Sequence, residues 1–176
     1  MDRHLERLKR ELAEILEGVS AEQLAYRLPG KWSTGEVVEH LYLTYTGTSK
    51  GFQRVAEAGR PLATKASWKQ SVGRRFVLGF EYLPSGRESP STARPRGLPG
   101  EKVVAEILSK IDEMDEMIRR CEGMLGPGKL LDHPILGPLT GPEWRKFHMI
   151  HGLHHIKQIR RLQDAARKEK KKAASV

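Results

Sequence analysis

Apolar residues recur along this chain at intervals of three and four, and four stretches carry that period far enough to predict long helices. Leu5, Leu8, Leu12, Ile15 and Leu16 stand among charges over residues 2–17, the stripe of an amphipathic helix that Gly18 ends. Ser20 with Glu22 and Gln23 starts a further short turn, broken at Leu28, Pro29 and Gly30. Ser33 with Glu36 three residues on forms a capping box, and Val37, His40, Leu41, Thr44, Thr48, Phe52 and Val55 continue on one face of a second long helix over about 34–58. Val104, Ile107, Leu108, Ile111, Met114, Ile118 and Cys121 mark a third over 101–124. Thr140 with Glu143 makes another capping box, with Pro142 inside the first turn, and opens the fourth.

Between the second and third helices the pattern fails. A short helix over about 65–79 is predicted there, followed by a long exposed loop through the Ser/Pro/Arg/Gly stretch 84–100. Residues 130–139 form a compact apolar connection, and no segment alternates as a strand should. The middle of the second helix, LTYTGTSKG, is rich in small and β-branched residues, which suits either a pocket or close packing at Gly47 and Gly51. The predicted class is all-α, a four-helix bundle with a short extra helix. One domain spans 1–165, and 166–176 is predicted as a basic, disordered tail.

One seam in that pattern is polar. Trp144, His148, His151, His155, Gln158 and Leu162 follow steps of 4, 3, 4, 3 and 4, so all six share one inward face of the fourth helix. Buried imidazoles must find hydrogen-bond partners or ligate a metal. His151 and His155, one turn apart, present two rings to one object. With seven histidines in the chain such a pair arises readily by chance, so a metal site needs a third ligand. His40 supplies it, lying on the apolar face of the second helix between Val37, Leu41 and Thr44. Three neutral imidazoles with an open position for water, thiol or substrate are a recurrent catalytic zinc arrangement.

Around that triad, Glu36, one turn before His40, and His148, one turn before His151, are the candidates for moving protons, although capping already accounts for Glu36. Gln158, His154, Thr44 and Trp144 are candidates to line a pocket or hold the ligands from outside. His4 and His133 read as structural or solvated, and Cys121, on an apolar stripe, as a buried inert thiol.

Three segments resemble a known family: GKWSTGEVVEHL (30–41), DHPILGPLTGPEW (132–144) and the H-x-x-H-H-x-x-Q-I run at 151–159. In order and spacing they are similar to the DinB-like, or YfiT-like, superfamily of metal-dependent proteins. The resemblance implies a four-helix bundle holding a divalent metal, zinc or nickel, on His40, His151 and His155. It also implies that a low-molecular-weight thiol such as bacillithiol, mycothiol or glutathione is a candidate co-substrate, since some relatives are thiol-dependent transferases. The Arg/Pro-rich loop departs from the family, so no substrate contact carries over there.

Composition narrows the partners. The 176 residues include 31 Lys and Arg against 22 Asp and Glu, a formal net charge of +9. Residues 60–102 carry nine basic and three acidic side chains, and 157–176 carry eight and two. An alternative to an enzyme is therefore a non-catalytic helical module that binds nucleic acid or an acidic partner through its basic loop and tail. Against nucleic acid stand the lack of any recognised motif and of aromatic residues beyond Phe147 to stack on bases. A small-molecule substrate is the expected partner; a homodimer is compatible with the sequence but no heptad argues for it. One cysteine and no apolar run of 18 residues favour a cytoplasmic protein with no membrane partner.

Overall fold

A computed structural model describes residues 1–84 and 89–175. Among them are six α-helices and one two-stranded sheet: α1 (Arg3–Leu16), α2 (Ala21–Ala25), α3 (Thr34–Ala58), α4 (Trp68–Phe80), a short 3-10 turn (Ser91–Ala93), α5 (Gly100–Leu125), β1 (Lys129–His133), β2 (Gly137–Thr140) and α6 (Gly141–Ala173). The chain is mostly helical, and no helix among the described residues is long and apolar enough to cross a membrane.

Local chemistry sets where the helices start. Capping boxes open α2 at Ser20, α3 at Ser33, α4 at Ser67 and α6 at Thr140, each with the third helical residue returning a bond to the cap. α3 ends at Gly59, whose φ of 61° is a left-handed stop that an L side chain resists.

Packing then pairs α3 with α5 and α1 with α6, and also brings α3 against α6. Leu5, Leu8 and Leu12 of α1, Leu41, Tyr45 and Phe52 of α3, and Ile107, Ile111 and Ile118 of α5 are fully buried. Two glycines allow close approach. A Cβ on Gly152 of α6 would collide with Leu8, and one on Gly51 of α3 would lie 2.7 Å from a methyl of Leu131. The small residues of α3 thus serve packing against β1 at Gly51, whereas Gly47 faces open space. Inside the α5–α6 contact, Arg145 donates to Asp115 at 2.7 Å and to Glu122 at 2.8 Å, with Asp115 and Arg145 both buried. Removing Arg145 would leave the buried Asp115 without its counter-ion, at a cost of about 3–5 kcal/mol.

Two expectations are corrected. The apolar connection 130–139 is a β-hairpin, with Leu131 opposite Leu139 and His133 opposite Gly137. The imidazole of His133 makes the turn: its Nδ1 accepts from the backbone N–H of Ile135 and of Leu136, both at 3.1 Å, and Gly137 takes a φ of 71°. Four- and five-residue strands are too short, and Pro134 and Pro138 too disruptive, for alternation to register. The segment 166–175, expected to be disordered, is helical through Ala173. It is tied down by Tyr26 donating to Glu169 and by Lys170 donating to Glu22, and Lys170, Lys171 and Lys172 complement the carboxyl end of the helix dipole. In the predicted 84–100 loop, residues 85–88 lie outside the described residues, as does Val176; the remainder contains the 3-10 turn Ser91–Ala93.

His133 makes stability pH-dependent. Burial pushes its pKa down from the usual 6.5 to about 4, while the unfolded chain keeps the ordinary value. Between those values the unfolded state binds a proton that the folded state refuses. The stabilisation is therefore complete above about pH 6.5 and is lost as pH falls toward 4. Urea unfolding across that window is expected to show a falling free energy. His133→Asn, which keeps an acceptor for the turn but cannot titrate, should reduce the slope by up to about 1.4 kcal/mol per pH unit. An unchanged slope would contradict this role.

Candidate metal centre

α3 contributes His40 and α6 contributes His151 and His155, the helix contact placing the two elements face to face. One ring nitrogen from each of the three histidines lies within 4.8 Å of the other two. Nε2 of His151 is 3.1 Å from Nε2 of His40 and 3.2 Å from Nε2 of His155. All three residues are buried, with exposures of 3%, 8% and 8% for His40, His151 and His155.

The outer nitrogens decide what the inner ones can do. Nδ1 of His40 lies 2.7 Å from the Ala93 carbonyl, which can only accept, so this nitrogen carries the proton. Nδ1 of His155 faces the side-chain oxygen of Gln158 at 3.1 Å and is a donor for the same reason. Burial lowers the pKa of His40, opposed by the Ala93 hydrogen bond, and brings His155 down to about 3. His151 is held well below its ordinary value by burial first and by the neighbouring imidazoles second. Neutral rings with protonated Nδ1 leave the Nε2 lone pairs of His40 and His155 bare. His151 has one proton to place, so at most one of the two short nitrogen–nitrogen approaches is a hydrogen bond at a time.

This donor set fits a divalent cation. With nitrogen ligands at about 2.0–2.1 Å, a tetrahedral ion separates them by about 3.3 Å and an octahedral one by about 2.9 Å. The observed 3.1 and 3.2 Å fall between. The carbonyl of Ala93 and the amide of Gln158 are outer partners of the kind that fix ligand tautomers. Phe147 lies nearly parallel to His151, at 16° and 5.5 Å, and Trp32 is 5.3 Å from His40, an aromatic wall that keeps the rings from tilting.

The other candidates are dispersed. His148 is fully buried with a pKa near 3 from desolvation, and its Nε2 meets Thr48 Oγ1 at 3.1 Å while Trp144 stacks on its ring. It faces the interior and joins the triad by no hydrogen bond or ring contact among the described residues. Trp144 donates to the Leu131 carbonyl and packs against the hairpin. Glu36 accepts from the Ser33 N–H at 2.6 Å and pairs with Arg27, so it serves the cap. Thr44 donates back to the carbonyl of His40 within its own helix. His154 is half-buried with its ring centroid 5.2 Å from that of His155, and Gln158 alone of the outer candidates bonds a triad ring. Cys121 is buried and donates to the Phe52 carbonyl.

Two features have no sequence signal. The Ala93 carbonyl belongs to the backbone of an irregular segment. Glu39, 2% exposed, accepts from the N–H of Arg96 at 2.6 Å and of Gly97 at 3.1 Å, so adjacent residues of α3 clamp the 93–97 segment over the rings.

The molecule is thus a helical protein with a buried three-histidine cluster between two of its long helices. A family model described as a protein of unknown function, DUF1569, matches residues 2–162, and the chain belongs to that family. No curated protein and no solved structure matches it.

Glu39→Ala removes both clamping bonds, each worth about 1.5–3 kcal/mol when a charged group accepts. Trypsin should then cut the Arg96–Gly97 bond at least roughly tenfold faster in the folded protein, since cleavage follows local opening. Equal cutting rates in wild type and variant would show that the clamp does not hold this segment.

Proposed function

We propose that this chain is a divalent-metal protein of the DinB-like type, a four-helix bundle of α1, α3, α5 and α6, in which His40, His151 and His155 hold zinc or nickel. We further propose that it is an enzyme of the hydrolase or thiol-dependent transferase kind acting on a small molecule. The observation that carries the reading is the convergence of three buried Nε2 atoms whose outer nitrogens are committed, on two of the rings, to carbonyl-type acceptors.

A divalent ion held there supplies Lewis acidity, which brings the pKa of a water or small thiol at an open position toward neutrality. The protein's own contribution is placement. Ala93 and Gln158 keep protons on the outer nitrogens of His40 and His155, so the inner lone pairs stay available without any change of tautomer. Phe147 and Trp32 restrict water around the rings, which strengthens electrostatic interactions within the site. Neither neighbouring carboxylate is spare: Glu36 completes the α3 cap and Glu39 holds the 96–97 backbone. Substrate deprotonation by a carboxylate on α3 is therefore disfavoured.

Metal analysis of the purified protein tests the reading. Wild type is expected to retain a stoichiometric divalent ion after dialysis. His151→Ala with His155→Ala should lose it almost entirely while keeping its helical circular dichroism, because a single imidazole cannot hold the ion. Equal metal content in the two proteins would end the proposal.

A further inference from the structure

The second half of α6 carries charge of one sign along one side. Lys157, Arg160 and Arg161 lead into Arg167, Lys168, Lys171 and Lys172, and at 3.6 residues per turn all seven fall within an arc of about 140°. Asp164 is the one other residue of 157–172 inside that arc. All seven cations are exposed, and at about 1.5 Å per residue the stripe is about 22 Å long. The far side of the helix fixes its course. Tyr26 donates to Glu169 at 3.0 Å and Lys170 donates to Glu22 at 2.7 Å, and Glu169 and Lys170 straddle the direction opposite the stripe. The basic segment is therefore an ordered surface turned outward.

Nothing within the chain uses these cations. Among the described residues, none of the seven side chains enters an ion pair or a hydrogen bond. Surface cations of α5 behave differently, Lys110 pairing with Glu113 at 2.8 Å and Arg119 with Glu116 at 2.7 Å inside their own helix. In α6 the four-residue spacing instead sets Lys157 beside Arg161, Arg167 beside Lys171 and Lys168 beside Lys172. Like charges at that spacing weaken a helix. The helix dipole accounts for basic residues in the last turn only, so it leaves Lys157, Arg160, Arg161 and Arg167 unexplained.

We propose that this stripe docks on the phosphodiester backbone of duplex nucleic acid without reading its sequence, a role independent of the metal site. A duplex presents one phosphate charge per about 1.7 Å of its axis, so a length of about 22 Å faces the stripe with more phosphates than it has cations. The chemistry of the arc selects this occupant. It holds no aromatic side chain on which the bases of a single strand could stack. It holds no apolar side chain to enter a bilayer. Protein interfaces are depleted in Lys and centred on apolar residues, whereas the stripe has four lysines and no apolar residue. The absence of stacking residues, which argues against single strands, does not bear on phosphate contacts along a duplex.

Fluorescence anisotropy of the full chain with a labelled duplex of about 20 base pairs tests the proposal across about 50–200 mM salt. About five phosphate contacts should give a slope near −4.5 in log K against log salt, with a Kd of roughly 10⁻⁶–10⁻⁴ M at physiological salt. Lys168→Gln with Lys171→Gln should flatten the slope by about 2 and weaken binding at low salt at least roughly tenfold, equally for AT-rich and GC-rich duplexes. Lys168→Arg with Lys171→Arg should restore both. Lys69→Gln with Arg75→Gln removes the same charge from α4, which meets the opposite end of α6 through Arg74 and Glu143, and should leave the slope unchanged. Absence of binding at low salt, or a wild-type slope in the Lys168/Lys171 variant, overturns the proposal. An equal loss in the α4 variant also overturns it, because net charge alone would then explain the attraction. So does stripe-dependent binding to phosphatidylserine vesicles in place of the duplex.

Discussion

A buried imidazole has two nitrogens and, when neutral, one proton. Three such rings meet here with their Nε2 atoms 3.1 and 3.2 Å apart, and two of them spend their proton on an outside acceptor, Ala93 for His40 and Gln158 for His155. The inner lone pairs are left facing one another in a setting where burial opposes protonation, as the lowered pKa values of all three rings show. With the His151 proton on Nδ1, which has no partner among the described residues, all three Nε2 lone pairs face inward and no protein hydrogen joins them. A cation at the centre would satisfy it, which is why the proposed metal is the simplest occupant.

The surrounding architecture works to hold those rings still. Gly152, one residue after His151, brings α6 onto Leu8 of α1, and Arg145 pins the start of the same helix to Asp115 and Glu122 of α5. On the other side, Glu39 and His40 together fasten the 93–97 segment to α3, so the carbonyl that orients His40 is itself fixed by the preceding residue. Sub-ångström placement of a ligand set demands support of this sort from outside the set. His148, Trp144 and Thr48 form a separate interior polar patch rather than part of the site.

Much of the helical frame was legible because its signals are local. The period of three and four, together with Ser33–Glu36 and Thr140–Glu143, predicts the long helices; for α3 the predicted 34–58 is also the observed span. His40, His151 and His155 stand out in the sequence as polar residues on apolar faces, and the structure brings them together. What escaped depends on a local turn that leaves no periodic pattern, or on contacts remote in the chain. The hairpin rests on His133 capping its own turn, and the helical end of α6 rests on Glu22 and Tyr26, more than a hundred residues earlier. The Ala93 carbonyl and the Glu39 clamp were illegible for the same reason: one is a backbone atom, and the other's partners are backbone amides of an irregular segment.

X-ray absorption at the metal edge of the zinc-loaded chain tests the central claim most directly. Three imidazole nitrogens at about 2.0–2.1 Å are expected, falling to two in His40→Ala, because the third ligand comes from α3. A chain that retains no ion, or a coordination shell that His40→Ala leaves unchanged, would contradict the account.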